Sequence, residues 1–169
     1  MLVVDEDGLK YLESIKCMFN CIVVNTNKNA VEKSAIMTLV LSRIDKVDVT
    51  TLIAGLDYGS NIGLAIFADS NLIFVNSYRG EESVIKTLKM FFDAIPASKK
   101  VIRIGIPSEL IHAKLSKFID DLLKKFSGNV VIELVHEHKT SKSSLIIDES
   151  LDEDSIAAIN IALKAFQNY

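Results

Sequence analysis

Tryptophan is absent from this chain, and cysteine (2), proline (2) and glycine (7) are scarce among its 169 residues. So little Pro and Gly excludes collagen-like, low-complexity and linker-dominated chains. Two cysteines are too few for a disulfide scaffold or a thiolate metal cluster. Cys17 and Cys21 are four apart, a spacing that suits one face of a helix, and they read as small buried hydrophobes. No apolar run reaches the 18 or so residues of a membrane-spanning helix. The opening Met1-Leu2-Val3-Val4-Asp5-Glu6-Asp7 is acidic, unlike the start of a signal peptide, so a cytoplasmic location is expected. Nor is there an excess of positive charge: 19 Lys and Arg stand against 22 Asp and Glu, for a net charge of −3. That disfavours a globally basic nucleic-acid binder and leaves room for a local basic groove.

What the chain does have is apolar material, 49% of its residues, enough for one domain with a substantial core. Residues 1–50 read as an N-terminal helical extension. Leu9, Leu12, Ile15 and Phe19 share one side of a helix over 6–19. Cys21 to Val24 reads as a short strand or that helix's end, and residues 28–44 carry a broad apolar stripe. Such a helix pair cannot bury itself alone and must pack on the main domain or on a second copy.

Residues 51–169 read as the main domain. Thr51–Asp57, Ile62–Ala68 and Leu72–Tyr78 are three strands joined by the turns Tyr58–Asn61 and Asp69–Asn71, a meander. Helices then alternate with strands. A helix over Glu81–Ile95 is ended by Pro96, and Val101–Ile106 is a strand stopped by Pro107. A helix from Ser108 to Phe126 follows, then a strand over Val130–Val135 and a last helix over Asp152–Phe166. The order β-β-β-α-β-α-β-α predicts an α/β fold, a mixed five-stranded sheet with an antiparallel edge.

Three acids take comparable places in this plan. Asp57 ends the first strand, Glu137 follows the fifth, and Asp154 stands in the first turn of the last helix. Strand C-termini form the usual crevice of such sheets. Carboxylates that converge there repel one another unless a cation lies between them, and hard oxygen donors without thiolates suit Mg²⁺ or Mn²⁺. Phosphodiester hydrolysis is the chemistry that fits such a centre. Singly, each acid is more often a solvated or helix-capping residue, and the set carries more than its parts.

The same segments carry a family likeness. Gly55-Leu56-Asp57-Tyr58-Gly59-Ser60-Asn61-Ile62-Gly63-Leu64-Ala65 resembles the opening G-x-D-x-G-x-x-x-G-x-A of the ribonuclease H-like superfamily in its RuvC and YqgF branch (Holliday-junction resolvases and pre-ribosomal RNA nucleases). Leu134-Val135-His136-Glu137-His138-Lys139-Thr140-Ser141 is similar to that branch's l-v-D-E-R-x-T-T. Asp154-Ser155-Ile156-Ala157-Ala158 is similar to its closing v-D-x-x-A-A, and Ile104-Gly105-Ile106-Pro107 to its v-G-x-P.

The resemblance covers about residues 51–169 and implies a ribonuclease H-like sheet. It implies a nuclease acting on structured DNA or RNA, with Asp57, Glu137 and Asp154 as catalytic metal ligands for Mg²⁺ or Mn²⁺. Gly59, His138, Lys139 and Thr140 would be substrate contacts, and junction cutting implies a homodimer. The chain departs from the pattern at His136 and His138, where the branch has Asp and Arg. Histidine does not replace arginine's bidentate grip on phosphate. An inactive module that binds nucleic acid or a protein is therefore the alternative.

Other readings are weaker. His136-x-His138 could take zinc with a carboxylate, but His112 is the only further histidine. The lysines at 99–100, 114, 117 and 124–125 read as solvated helix faces. A kinase-like phosphate hairpin needs a second domain, and no G-x-S-x-G elbow exists.

Overall fold

The computed structural model describes residues 2–17, 21–23, 31–44, 48–106, 113–126, 128, 130–136 and 150–164. Five strands form the main sheet: β3 (Val49–Tyr58), β4 (Ile62–Ala68), β5 (Asn71–Tyr78), β6 (Ala97–Ile106) and β7 (Val130–His136), in the order β5-β4-β3-β6-β7. β3 pairs antiparallel with β4, and β4 with β5. β6 lies parallel to β3, and β7 parallel to β6. This is the mixed five-stranded α/β sheet with an antiparallel edge expected from the sequence.

The β4–β5 turn places Asp69 and Ser70 at φ 45° and 72°, the left-handed pair that a two-residue hairpin needs. The Asp69 carboxylate also accepts from the backbone N–H of Thr51 at 2.9 Å, which pins the turn to β3.

Two layers cover the sheet. On one face α2 (Val31–Ile44), α3 (Glu81–Ala94) and α4 (Ala113–Lys125) bury Val40, Leu41, Leu88 and Phe118 against Leu52, Leu56, Leu64 and Ile102. On the other face α5 (Glu153–Leu163) packs Ala158, Ile159 and Ala162 on Ala65 and Phe67. Small residues meet small residues there, so helix and sheet approach closely. A Cβ on Gly55 would fall 2.2 Å from the Ala158 carbonyl oxygen.

Arg103 crosses this layer from β6. Its Nε donates to Glu133 Oε2 at 2.8 Å and its Nη1 to the Ala162 carbonyl at 2.5 Å, tying the last turn of α5 to β6 and β7.

The N-terminal region differs from its expected form. β1 (Leu2–Val4) pairs parallel with β2 (Cys21–Val23), and α1 (Glu6–Ser14) connects them. α1 is shorter than the predicted 6–19, and Cys21 belongs to a strand while Cys17 follows the helix, so the two residues do not lie on one helix. α2 places Ile36, Val40, Leu41 and Ile44 in the core of the sheet's face, which settles what its apolar stripe packs on.

β6 begins four residues earlier than predicted. Ala97–Lys100 read as polar but pair with the start of β3, Val49 opposite Ala97 and Thr51 opposite Lys99. The Lys100 ammonium then reaches the Phe92 carbonyl at 2.5 Å, and partial burial lowers its pKa. No helix among the described residues is long and apolar enough to cross a membrane.

Candidate metal and nucleic-acid site

Asp57 lies near the C-terminal end of β3, directly opposite Gly63 of β4. Directly opposed residues of an antiparallel pair project to the same face of the sheet. Gly63 marks which face this is: a Cβ on it would lie 2.0 Å from the Asp154 carbonyl oxygen and 3.2 Å from the Ala158 side chain. The Asp57 carboxylate and the first turn of α5 therefore share one face at one level of the sheet. Gly63 is what lets the helix come that near. Both acids are half-buried.

Three further contacts fix Asp154 and its helix. Asn61, in the β3–β4 turn, donates its Nδ2 to Asp154 Oδ2 at 3.1 Å. Asp152 caps α5, accepting from the Ser155 N–H at 2.8 Å, and its other oxygen accepts from Ser77 Oγ of β5 at 2.9 Å. The Ser155 N–H, and after it the Ser77 hydroxyl, hold the Asp152 carboxyl below its usual range. The positive end of the α5 dipole lies at this turn and favours carboxylates there.

Gly59 stands exposed in the same turn, and its N–H already donates to the Asn61 carbonyl at 3.0 Å. What it offers a substrate is close approach rather than a hydrogen bond.

The structure thus places Asp57 and Asp154, two of the three expected acids, on one face of the sheet. Glu137, His138, Lys139 and Thr140 lie outside the described residues. β7 ends at His136, opposite Ile106 of β6, at the sheet end where Asp57 stands. That end is two strands from β3, about 10 Å at the usual strand spacing. The His136 carbonyl accepts from the Lys164 ammonium. Among the described residues no group of three His, Cys, Asp or Glu side chains is placed to hold an ion. Two hard oxygen donors on one face fit Mg²⁺ or Mn²⁺ in kind, with one protein ligand still to be supplied.

Sequence reasoning did not single out Asn61 or Ser77. A short amide in a glycine turn beside a candidate ligand is the signal for Asn61. Ser77 had none, because its partner is 75 residues away.

On the opposite face of the same hairpin, Tyr58 packs its ring on Phe118 at 5.0 Å and donates its hydroxyl to Glu81 Oε1 at 2.5 Å. Burial, then the hydrogen bond and charge of Glu81, push its pKa up to about 12.

No family model matches this chain, and no curated protein does. Among solved structures, the chain is similar to the Fowlpox virus resolvase in its crystal structure with substrate Holliday junction DNA. The likeness has 20% identity and a TM-score of 0.40, over 55% of this chain and 65% of that one. The match thus spans less than two thirds of the resolvase chain, and an overlap of that extent decides nothing about the site.

Proposed function

We propose that this chain is a divalent-cation-dependent nuclease of the RuvC and YqgF kind, hydrolysing phosphodiester bonds in structured DNA or RNA. The observation that carries the reading is the shared face of Asp57 and Asp154, imposed by Gly63 against the α5 backbone. Acids 97 positions apart in the sequence are brought to one level of the sheet, at the end where strand C-termini form a crevice.

In this reading Asp57 and Asp154 hold Mg²⁺ or Mn²⁺, with Glu137 as the third ligand. The ion, when bound, lowers the pKa of water and offsets charge on the leaving oxygen. Asn61 keeps the Asp154 carboxylate oriented, and Asp152 with Ser77 keeps the first turn of α5 in place. Lys139, Thr140 and His138 would contact phosphate. Cutting both strands of a junction calls for two copies, so the working form is a homodimer.

The second reading is a module that binds without cutting. It is favoured by His136, exposed at the end of β7 where the resembled motif has a carboxylate.

Thermal unfolding with and without Mn²⁺, alongside cleavage assays on a four-way DNA junction and a structured RNA, separates the two. The nuclease reading expects Mn²⁺ to raise Tm, because an ion bound only to the folded state stabilises it, and expects Asp57→Asn to remove both that shift and cleavage. An unchanged Tm with no cleavage of either substrate overturns it in favour of the binding module.

A further inference from the structure

A cleft of about 510 Å³ opens between the β3–β4 turn, the β5–α3 turn and α4. Its charged lining is Arg79, Lys114, Lys117 and Glu81. Three cations from two segments 35 residues apart meet there, in a chain whose net charge is −3. Their side chains are exposed, so their charge faces the solvent at the cleft rather than the core.

The single acid, Glu81, accepts the Tyr58 hydroxyl at 2.5 Å, which spreads part of its charge away from the opening. Gly80, also in the lining, is the N-cap of the 14-residue α3 and makes no side-chain cap bond, so the positive end of that helix adds to the field of the three cations. Ser60 contributes a hydroxyl.

The location matters as much as the charge. Tyr58 lines this cleft, and its neighbour Asp57 points to the other face. The cleft and the two acids therefore lie on opposite faces of the β3–β4 hairpin, and the turn at Gly59 and Ser60 is the edge over which one face passes to the other.

We propose that this cleft seats the phosphodiester backbone a few nucleotides from the bond presented to Asp57 and Asp154, with Arg79, Lys114 and Lys117 as its phosphate contacts. The proposal rests on the nuclease reading for its location and on the cleft's own charge for its ligand. Phosphate contacts of this type position a nucleic acid without reading its sequence, so DNA and RNA backbones are both accepted.

The test is the combined variant Arg79→Ala, Lys114→Ala, Lys117→Ala in the full chain, with Lys86→Ala, Lys89→Ala as a control of similar exposure. Binding of a labelled four-way DNA junction and of a labelled RNA duplex is measured by anisotropy across a salt series. The triple variant is expected to weaken binding of both probes more than tenfold and to flatten the slope of log K against log salt by about two to three units, near one per lost phosphate contact. The control keeps the wild-type slope, and Mn²⁺ raises Tm equally in all three proteins.

Unchanged affinity and slope in the triple variant overturn the proposal. So does a wild-type chain that binds polyglutamate and neither nucleic acid. If the triple variant loses binding while Mn²⁺ leaves the wild-type Tm unmoved, the cleft stands as a backbone site and the nuclease reading falls. If cleavage depends on Asp57 but the triple variant binds normally, the reverse holds.

Discussion

Gly63 of β4 lies flush against the backbone of Asp154, so close that a methyl group in place of its hydrogen would come within 2.0 Å of the Asp154 carbonyl oxygen. The position of a candidate metal ligand is thus set by a residue without a side chain, on a strand that the ligand's own helix covers.

Substituting that glycine should separate the helix from the sheet. Gly63→Ala forces α5 outward, since the clashing atom is backbone and cannot rotate away. We expect a cost of about 2 kcal/mol or more, as for overpacked cores, and a Tm lower by roughly 5 °C. In the nuclease reading the Mn²⁺-induced rise in Tm also disappears. Differential scanning calorimetry with and without Mn²⁺ measures both, and a variant with wild-type Tm shows that the helix is not seated as described.

Arg103 and Glu133 form a mostly buried pair, with side-chain exposures of 13% and 10%. Arg103→Met leaves a carboxylate without its guanidinium and the Ala162 carbonyl without its donor. A loss of about 3 kcal/mol is expected in urea unfolding. Adding Glu133→Leu should restore most of it, because the stranded charge is then gone. A double variant as unstable as the single one contradicts this account.

Tyr58 supplies a test at alkaline pH. Its pKa is raised from 10.0 to about 12, so the folded state favours the neutral phenol. The resulting stability is fully present below pH 10 and is lost as pH climbs toward 12. In an absorbance titration Tyr58→Phe should remove a component ionising near 12, and Glu81→Gln should move that component downward. The Tm advantage of the wild type over Tyr58→Phe should be constant near neutrality and shrink above pH 10.

At acid pH the informative group is Asp152. Its folded-state pKa is depressed below 3.8 by the Ser155 N–H and the Ser77 hydroxyl. The stability it adds is therefore present above pH 3.8 and lost as pH falls through the folded value. Asp152→Ala should lower Tm at pH 7 through the lost cap, and the gap to wild type should close in the acid range below 3.8. A gap that persists unchanged to pH 2.5 assigns the effect to something other than the carboxylate.

The sheet was legible because its strands are apolar runs ended by turn residues. Ile62–Ala68 was read to the residue, since all seven positions are buried and Asp69-Ser70 closes the run. Where polarity and pairing disagree, the pattern misleads. Lys99 and Lys100 read as solvated surface, yet β3 offers their backbone a ladder of hydrogen bonds. β1 was missed because three residues make too short a run to show a period. At the site, Asp57 and Asp154 were legible from their places at a strand end and a helix start. Asn61 was not, because its role depends on a partner 93 residues away. Lys114 and Lys117 read as solvated helix face, and Arg79 carries no signal of its own, for the same reason: a cleft belongs to the fold, and no stretch of chain contains it.

In the nuclease reading, the seating of α5 on glycine and alanine would also bear on selectivity among cations. With carbonyls of the helix where side chains of the sheet would otherwise stand, the first turn has no room to settle nearer to Asp57 or to retreat without breaking packing along the whole face. Were an ion bound there, oxygen donors held that stiffly would discriminate by ionic radius. A small ion with firm octahedral demands suits a fixed gap, while Ca²⁺, larger and tolerant of irregular shells, would gain little from it.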